Sequence, residues 1–423
     1  MHILFLSHYF PPEVNAPASR TFEHCRQWVK LGHRVTVITC APNHPRGQVY
    51  PGYRNRLCAR ETIDGVEVIR LWTYITPNEG FIKRTLAYIS YMVAATFFIP
   101  FMPKADVVVT TSPQFFNGLA GYLVSRLKRR PWVLEIRDLW PESILAVGAI
   151  RNRTIIRVLE WLEMFAYRRC DHLVPVTDAF RDYMLKKGIP DDKITVVKNG
   201  VDLAFYDAMG ETTEHADLPA SLAALDGKFV AAYVGTHGMA HHLETVLEAA
   251  ETLREHPNIV FLLVGEGSEA AKLRDLRDAR QLDNVVMTGQ LDKAHMPAVW
   301  QLSDLSLVLL RKLDLFKTVI PSKIFESMAM KKPIIIGVQG ESQAIVEAAK
   351  AGVAIEPENA AQLAETVLAL ANDTDRYHTL ASNGRSYVSE HFNRERLAAR
   401  LLSVLQAVAY PKNPRHLDRT YSE

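Results

Sequence analysis

The segment FVAAYVGTHG, residues 229–238, combines the apolar run of a buried strand with a glycine-bearing turn. A helical pattern, HLETVLEAAETLRE, follows at once, and the same unit recurs from IVFLLVGEG, residues 259–267. Strands that alternate with helices predict a parallel sheet with helices on both faces. Further strand patterns of this sheet lie at 284–290, 305–310, 333–338 and 353–357.

The first half of the chain has the same alternation of strand and helix patterns. Apolar, β-branched runs predict strands at 3–7, 34–40, 66–72, 106–113, 132–138, 172–177 and 194–202. Helical patterns, such as those at 18–32 and 153–170, separate them. The chain therefore predicts an α/β fold of two Rossmann-like, doubly wound parallel-sheet domains, with a ligand cleft between the carboxyl ends of both sheets.

The domain boundaries follow from length and composition. A chain of 423 residues is too long for one ordinary hydrophobic core. We predict an N-terminal domain at 1–202 and a C-terminal domain at 228–390. The acidic, polar stretch 203–227 has no strand pattern, so we interpret it as the connection between them. The helical pattern near 394–410 is predicted to pack back on the N-terminal domain.

Composition excludes several classes of protein. The net charge is +2, which gives no support to a nucleic-acid partner. The four cysteines have no metal-type spacing and suit reduced thiols in the cytoplasm. The N-terminus, MHILFLSHYFPP, lacks the basic segment and cleavage site of a signal peptide. We therefore expect a cytoplasmic protein.

One apolar segment could involve a membrane. Residues 86–101, LAYISYMVAATFFIPF, form a run of 16 residues without a charge. A spanning helix needs about 20 apolar residues, and Pro100 interrupts this run, so we predict no span. Two readings stay open: a helix packed on the sheet, or a helix whose outer face contacts the inner surface of the cell membrane.

Two glycine turns, VGTHG at 234–238 and VGEG at 264–267, each follow a predicted strand and precede a helix. Glycine lets the backbone approach a ligand closely, and helix N-termini attract anions such as phosphate. Neither turn is a GxGxxG or P-loop pattern, so each alone is a weak signal.

The segment VIPSKIFESMA, residues 319–329, places a carboxylate within an apolar helical pattern. If Ser322 capped the helix, a capping box would need an acid at Phe325, so Glu326 comes one residue late. Glu326 falls off the buried stripe and beside Lys323. The pair is either a surface ion pair, or Lys323 faces a phosphate while Glu326 accepts hydrogen bonds from sugar hydroxyls.

The longer stretch PSKIFESMAMKKPII, residues 321–335, resembles the donor-site helix of family 4 glycosyltransferases, two-domain GT-B enzymes that use nucleotide-activated sugars. The resemblance extends, in order, over GHRVTVIT (32–39), VVKNGVD (196–202), LLVGEG (262–267) and VVMTGQL (285–291). LEIRDLWPES (134–143) and PNHPRGQVYPGY (42–53) resemble the bacterial branch that builds O-antigen and exopolysaccharide, which includes N-acetyl-L-fucosamine transferases.

The resemblance implies a role for each donor-side residue. Glu326 would hold the ribose hydroxyls, and Gln290 and Leu291 would lie against the nucleobase. Lys323 and the two glycine turns would surround the diphosphate. The turn residues implied are Gly235, Thr236, His237, Gly265, Glu266 and Gly267.

On the acceptor side, the resemblance implies entry past the loop HYFPPEVNAPASR, residues 8–20. Asp138 would position the acceptor or transfer a proton, although a helix cap is an equally open reading of that residue. Arg137 would bind an acceptor phosphate. The loop candidates are His8, Glu13, Asn15 and Arg20.

The sequence departs from the family pattern at three places. Thr318 stands where a glutamate often contacts the donor sugar. Arg137 and Asp138 stand where many members have a His–Asp pair. The region that often carries a phosphate-binding Arg and Lys here contains Thr236, His237, His241 and His242. These departures leave donor-sugar recognition and acceptor activation open.

The resemblance implies a retaining transfer from a UDP-linked sugar, such as UDP-N-acetyl-L-fucosamine, to a polyprenyl-diphosphate-linked glycan. Lys323, Arg137 and Asp138 are the catalytic candidates. The sequence has no DxD motif in a convincing loop, so we expect neither a metal nor a cofactor. A nucleotide-sugar 2-epimerase and a non-catalytic nucleotide-binding relative are the alternatives.

Overall fold

The computed structural model describes residues 1–13, 15–44, 46–77, 81–112, 114–146, 152–210, 222 and 225–411. Its contacts divide the chain into two compact units. Unit 1 comprises Met1–Lys198 together with Glu395–Glu423, and unit 2 comprises Asn199–Arg394.

The described part of unit 1 contains a seven-stranded sheet. Its strands are β1 (His2–Leu6), β2 (Arg34–Cys40), β3 (Cys58–Ile63), β4 (Val66–Leu71), β5 (Val107–Thr111), β6 (Trp132–Ile136) and β7 (His172–Pro175). The strand order is β3-β4-β2-β1-β5-β6-β7. All neighbours are parallel except the β3–β4 hairpin. The order reverses between β1 and β5, the switch point at which α/β sheets bind ligands.

Helices flank this sheet. They are α1 (Ala16–Lys30), α2 (Phe81–Phe98), α3 (Phe115–Lys128), α4 (Glu142–Ala146), α5 (Arg153–Arg169) and α6 (Asp178–Lys186). Because both faces of the sheet are covered, β1, β2 and β5 are buried almost throughout.

The described part of unit 2 contains a six-stranded parallel sheet. Its strands are β8 (Phe229–Val234), β9 (Ile259–Val264), β10 (Val285–Gly289), β11 (Leu305–Leu309), β12 (Ile334–Gly337) and β13 (Gly352–Ala354). The order β10-β9-β8-β11-β12-β13 is that of a doubly wound sheet, and it reverses between β8 and β11. The predicted pair of doubly wound α/β domains is confirmed.

The helices of unit 2 pack on both faces of its sheet. They are α7 (Leu203–Gly210), α8 (Glu244–Thr252), α9 (Ala270–Ala279), α10 (Met296–Leu302), α11 (Lys323–Ala329), α12 (Glu341–Ala348), α13 (Ala360–Asn372) and α14 (Thr374–His391). The last helix of the described chain, α15 (Arg394–Ala409), belongs to unit 1 from Glu395 onward, and its Leu401 and Leu405 join the core around Phe5 and Trp28. The Trp28 Nε1–H donates to the Ala398 carbonyl at 2.9 Å.

The structure differs from the sequence predictions near the domain boundary. Residues 194–202 form only isolated bridges, at Ile194 and Val201, instead of a strand. Of the stretch 203–227, expected to be a connection, residues 211–221 and 223–224 lie outside the described residues. The rest belongs to unit 2: α7 occupies its start, and Tyr206, Leu222 and Leu225 are buried in the unit 2 core. The polar composition of the stretch predicted a connection, but its few apolar side chains are buried in the unit 2 core and make it part of that unit.

Helix α2 carries the apolar segment near residue 90. Together with the following turn it includes a 19-residue stretch, Lys83–Phe101, that is long and apolar enough to cross a membrane by length and composition alone. Only 28% of its most apolar window is buried in the structure. The inner face, with Tyr91 and Ala95, packs into unit 1, while Phe97 and Phe101 are 78% and 68% exposed.

Candidate functional site

The candidate nucleotide-sugar site of unit 2 lies at the carboxyl edge of its sheet, where β8 and β9 end. Gly235 N–H donates to the Val264 carbonyl at 2.9 Å. Two residues further on, His237 N–H donates to the Glu266 carbonyl at 3.0 Å. The two predicted glycine turns are therefore joined by backbone hydrogen bonds into one surface.

Close approach explains the glycines of these turns. A Cβ at Gly265 would overlap the carbonyl oxygen of Gly235, and a Cβ at Gly267 would overlap that of His237. The turns pack against each other, so these two glycines serve the fold whether or not a ligand is bound. Gly235 is different, because a Cβ there would lie 2.9 Å from the Lys323 ammonium nitrogen.

Lys323 begins α11, which follows β11, and therefore reaches the switch point from the other side. Its ammonium nitrogen is shielded from solvent and makes no hydrogen bond within the described part of the chain. It lies 3.5 Å from the centroid of the Tyr233 ring. Cation–π attraction offsets part of the cost of burial, yet three N–H donors remain for a ligand. An anion is the chemical complement of this group.

The ionisable groups around Lys323 have shifted pKa values. Burial lowers the pKa of Lys323 to about 7, and the negative charge of Glu326 partly offsets that shift. Burial lowers the pKa of His237 and of His241 to about 4, with the positive charge of Lys323 adding to both shifts. His237 and His241 are therefore neutral at pH 7, and an anion bound beside Lys323 would favour the cationic form of that lysine.

Helix α11 has the buried stripe predicted for it. Ile324, Phe325 and Met328 have no exposed surface, whereas Glu326 is half-buried and off the stripe. Ser322 precedes the helix without a capping hydrogen bond. The reading of Lys323 and Glu326 as a surface pair is wrong for the lysine, because its charged end is enclosed against Tyr233.

The other donor-side candidates are placed as follows. Gln290 and Leu291 follow β10; Gln290 is exposed, and Leu291 packs on the unit 2 core. The exposed Glu266 pairs with Arg274 at 3.0 Å.

The Thr236 carbonyl accepts a hydrogen bond from the Tyr233 hydroxyl at 2.9 Å. Sequence reasoning missed Tyr233, whose only signal was an aromatic residue one position before the Val-Gly turn.

Thr318, at the position of the second family glutamate, lies in the short turn Asp314–Thr318. Its hydroxyl donates to the Leu315 carbonyl at 2.7 Å, so it is engaged within its own turn.

Arg20 requires a correction, since it was expected to lie in an acceptor-side loop. It lies inside α1, fully buried, and its Nε donates to Glu135 Oε1 at 2.9 Å. Its remaining nitrogens donate to the carbonyls of Val197 and Lys198 at 2.9 and 2.8 Å. Burial alone would raise the pKa of Glu135, but the charges of Arg20 and Arg137 hold it below its usual range. Arg20 therefore stabilises the fold of unit 1.

Two further loop candidates also have structural roles. Glu13 Oε1 accepts the backbone N–H groups of Asn43 and His44 at 2.8 and 2.9 Å, and so holds the loop that follows β2. Asn15 caps α1, because its side-chain oxygen accepts from Ala18 N at 2.9 Å. Local hydrogen bonds of this kind are typical of Asn and Glu near helix starts and turns.

His8 follows β1 and lies in an aromatic cage. The rings of Tyr9, Tyr88 and Tyr91 contact it edge-on, with centroids at 4.9, 5.5 and 5.2 Å. Burial lowers the pKa of His8 to about 3, and the nearby His44 adds to the shift, so the imidazole is neutral at physiological pH.

Arg137 and Asp138 follow β6 at the carboxyl edge of the unit 1 sheet. Ser112 Oγ accepts the backbone N–H of Arg137 at 2.7 Å, and Ser143 Oγ donates to Asp138 Oδ2 at 3.2 Å. Burial raises the pKa of Asp138 to about 6, despite the hydrogen bond from Ser143. Helix α4 begins only at Glu142, so Asp138 is not its N-cap. A carboxyl group with this pKa is suited to proton transfer near neutral pH.

The described part of the chain brings no three His, Cys, Asp or Glu side chains together as a metal site would require.

Comparison with known proteins agrees with this geometry. Residues 15–200 match the family described as Glycosyl transferase 4-like domain, and residues 215–387 match Glycosyl transferases group 1. The chain is 25% identical over 342 residues to the colanic acid biosynthesis glycosyl transferase WcaI of Escherichia coli, covering 78% of this chain and 81% of that protein.

Solved structures share the fold over nearly the whole chain. Sucrose-phosphate synthase from Thermosynechococcus elongatus has a TM-score of 0.72 at 17% identity, covering 95% of this chain and 98% of that one. HepE from Anabaena, solved with UDP-glucose, has a TM-score of 0.68 at 17% identity, covering 96% and 100%.

The chain is thus a glycosyltransferase with the GT-B fold. Its sequence relatives include proteins named as colanic acid biosynthesis glycosyltransferases.

Proposed function

We propose that this enzyme transfers a sugar, with retention of anomeric configuration, from a UDP-linked donor to a polyprenyl-diphosphate-linked glycan during synthesis of a bacterial surface polysaccharide. One observation carries the donor half of the proposal: the Lys323 ammonium is enclosed at the switch point without a hydrogen-bond partner in the described part of the chain. The solved complex of HepE with UDP-glucose and the colanic acid role of WcaI support the choice of substrates.

Lys323 would stabilise the departing diphosphate. Cleavage of the sugar–phosphate bond places negative charge on the leaving group, and a cation already aimed at that charge lowers the barrier without a metal. Gly235 allows the ammonium group to lie this close to the turn, because a Cβ there would lie 2.9 Å from the ammonium nitrogen. Glu326, one helical turn further along α11, would accept hydrogen bonds from both ribose hydroxyls and fix the nucleotide.

The remaining donor contacts are those that the family resemblance implies. Gln290 and Leu291 would meet the nucleobase, and the Thr236–His237 turn would border the diphosphate. The donor sugar would be read by groups other than Thr318, whose hydroxyl is engaged in its own turn. UDP-N-acetyl-L-fucosamine and related N-acetylamino sugars are the donors to test first.

Asp138 and Arg137 would act on the acceptor. With a pKa of about 6, Asp138 is mostly ionised at pH 7 and can accept a proton from the attacking hydroxyl or orient it. Arg137 would bind a phosphate of the lipid-linked acceptor.

The exposed face of α2 would hold unit 1 on the cytoplasmic membrane surface. It borders an open apolar groove of about 780 Å³ whose walls include Trp72, Leu86, Val93, Phe97 and Phe101. The exposed cations Arg56 and Lys83 are close in sequence to its wall residues Leu57 and Leu86, and basic groups beside an apolar face favour anionic lipid. The double change Val93→Ser, Phe97→Ser should reduce sedimentation with vesicles that contain phosphatidylglycerol, without lowering the melting temperature.

The central test is transfer from a panel of UDP- and GDP-sugars to a synthetic polyprenyl-diphosphate glycan, followed by NMR of the product. The proposal predicts a UDP-sugar donor and a product with the donor's anomeric configuration. Donor turnover without acceptor would instead indicate a 2-epimerase. If calorimetry detects no binding of UDP or GDP, the proposal is wrong.

A further inference from the structure

A small cavity lies in unit 1 beside Asp138. It is formed where β5 and β6 end, between α3 and α5, and its volume is about 30 Å³. A water molecule requires about 10–15 Å³ measured in this way. The cavity therefore has room for about two water-sized groups, the size of a small substituent on a sugar.

Gln114 is the polar group of this cavity without a partner. It is 2% exposed, and neither its side-chain oxygen nor its side-chain nitrogen has a hydrogen-bond partner within the described part of the chain. It occupies the N-cap of α3, yet its side chain makes no capping hydrogen bond. A buried amide without partners is costly, so a ligand that supplies both a donor and an acceptor would bind here with a clear advantage.

Most of the other lining residues of the cavity are aromatic or aliphatic. Phe115 and Trp140 stack with ring centroids 5.6 Å apart, and Leu119 and Ile136 complete the apolar lining. This surface suits a methyl group, whereas a second polar group placed there would lose its hydrogen bonds to water.

The two carboxyl groups at the ends of the cavity have partners of their own. Asp138 accepts a hydrogen bond from Ser143, while Glu163 is hydrogen-bonded to the Tyr167 hydroxyl and lies 3.6 Å from the Lys187 ammonium. Burial raises the pKa of Glu163 to about 7, with the Glu142 charge adding to the shift. The carboxyl groups disfavour an anion in the cavity, and the amide of Gln114 remains the group that a neutral ligand would meet.

We propose that this cavity binds the acetamido group of an N-acetylated sugar in the acceptor, with Gln114 as the specificity-determining residue. An acetamido group has one N–H donor and one carbonyl acceptor, which match the oxygen and the NH₂ of the Gln114 amide. Its methyl group would pack on Phe115 and Trp140. Binding there places the acceptor sugar beside Asp138, which the same cavity borders. The inference rests on the proposed transfer to a lipid-linked glycan.

The test compares two acceptors that differ at one substituent: polyprenyl-diphosphate-N-acetylglucosamine and polyprenyl-diphosphate-glucose. We expect the native enzyme to prefer the acetylated acceptor by roughly 10- to 100-fold in kcat/KM. The glucose acceptor cannot form the two hydrogen bonds to Gln114, so the buried amide stays unpaired when that acceptor binds. Gln114→Leu should bring this ratio close to one. A general loss of activity would lower both rates and leave the ratio unchanged.

Two further variants make the result specific. Gln406→Leu makes the same chemical change at an exposed position of α15 and should keep the preference. Leu119→Phe should abolish it by filling the cavity while Gln114 stays intact, which provides a second measurement if Gln114→Leu fails to fold. Equal use of the two acceptors by the native enzyme, or an unchanged ratio in both cavity variants, would overturn the inference alone. Transfer to neither acceptor would contradict the proposed function, and this inference with it.

Discussion

The two units treat buried charge in opposite ways at the carboxyl edges of their sheets. In unit 1 the buried guanidinium of Arg20 donates to the Glu135 carboxylate and to two backbone carbonyls. In unit 2 the enclosed ammonium of Lys323 rests on an aromatic ring and makes no hydrogen bond to the described residues. The first arrangement is complete in itself, whereas the second lacks an anion.

This difference distinguishes charges that hold the fold from charges that await a substrate. Removing one member of a hydrogen-bonded buried ion pair strongly lowers the free energy of unfolding, since the other charge is left buried and unpaired. A buried cation without a partner costs stability until a ligand binds, so its removal affects binding more than folding. Substitutions in the two units should therefore give opposite patterns of stability and activity.

The largest expected effect is on the stability of unit 1. Arg20→Met leaves the Glu135 carboxylate buried without its main cation, and should lower the free energy of unfolding by about 3–5 kcal/mol. Urea denaturation measures this change. The double variant Arg20→Met, Glu135→Gln should recover a large part of the loss, because the buried Glu135 charge that lost its Arg20 partner is then removed as well. An Arg20→Met protein of native stability would show that the pair is not structural.

The corresponding change in unit 2 is Lys323→Met. It should lower kcat/KM for the nucleotide-sugar by about 10²- to 10³-fold, the usual effect of removing one group that stabilises developing charge. The melting temperature should stay the same or rise, because an unpaired buried charge is removed. Lys312→Met is the control, since Lys312 is exposed and pairs with Glu356. A marked loss of stability with unchanged kinetics would assign Lys323 to the fold.

Glu326→Ala should have a smaller effect on the same site. Hydrogen bonds to a charged group contribute about 1.5–3 kcal/mol, so the Kd for UDP measured by calorimetry should rise by about 10- to 100-fold. Little change in stability is expected, since Glu326 is half-buried. Glu347→Ala, at an exposed position of α12, should leave the Kd unchanged. If the Glu326→Ala variant bound UDP with the native Kd, Glu326 would be a solvated helix residue with no contact to the nucleotide.

The smallest predicted effect is a pH dependence of donor affinity. Lys323 must be cationic to bind the diphosphate, and its pKa is about 7 in the free protein. Affinity should be full below pH 7 and fall as pH rises, so that the Kd increases about 10-fold between pH 6 and pH 8.

An intact UDP-sugar is the ligand for this measurement, because its diphosphate does not titrate in that range. His237 and His241, with pKa values of about 4, stay neutral throughout and do not contribute. Lys323→Met should bind weakly and without pH dependence. If donor binding by the Lys323→Met variant still depended on pH, the titrating group would be a residue other than Lys323.

Much of the fold follows from patterns that are local in sequence. The apolar runs of β8, β9, β11 and β12 mark strands that are covered on both faces, and the glycine turns mark where β8 and β9 end. The sequence patterns missed elements that have few fully buried side chains. Strand β3 is an edge strand with alternating exposed and half-buried residues, and α14 has few buried side chains, so neither has a strong periodic signal.

The sequence by itself determined the elements that carry the donor site: two glycine turns, and a short helix on which Lys323 and Glu326 fall beside a buried stripe. These features depend on residue type and spacing along a few turns of chain. It could not determine which charged groups are already paired. The partner of Arg20 lies 115 positions away, the ring beside Lys323 is that of Tyr233 on strand β8, and the cavity beside Gln114 is enclosed by four separate elements. Only the tertiary structure decides these, because burial and hydrogen bonding depend on residues that are distant in sequence and meet only after the sheet has formed.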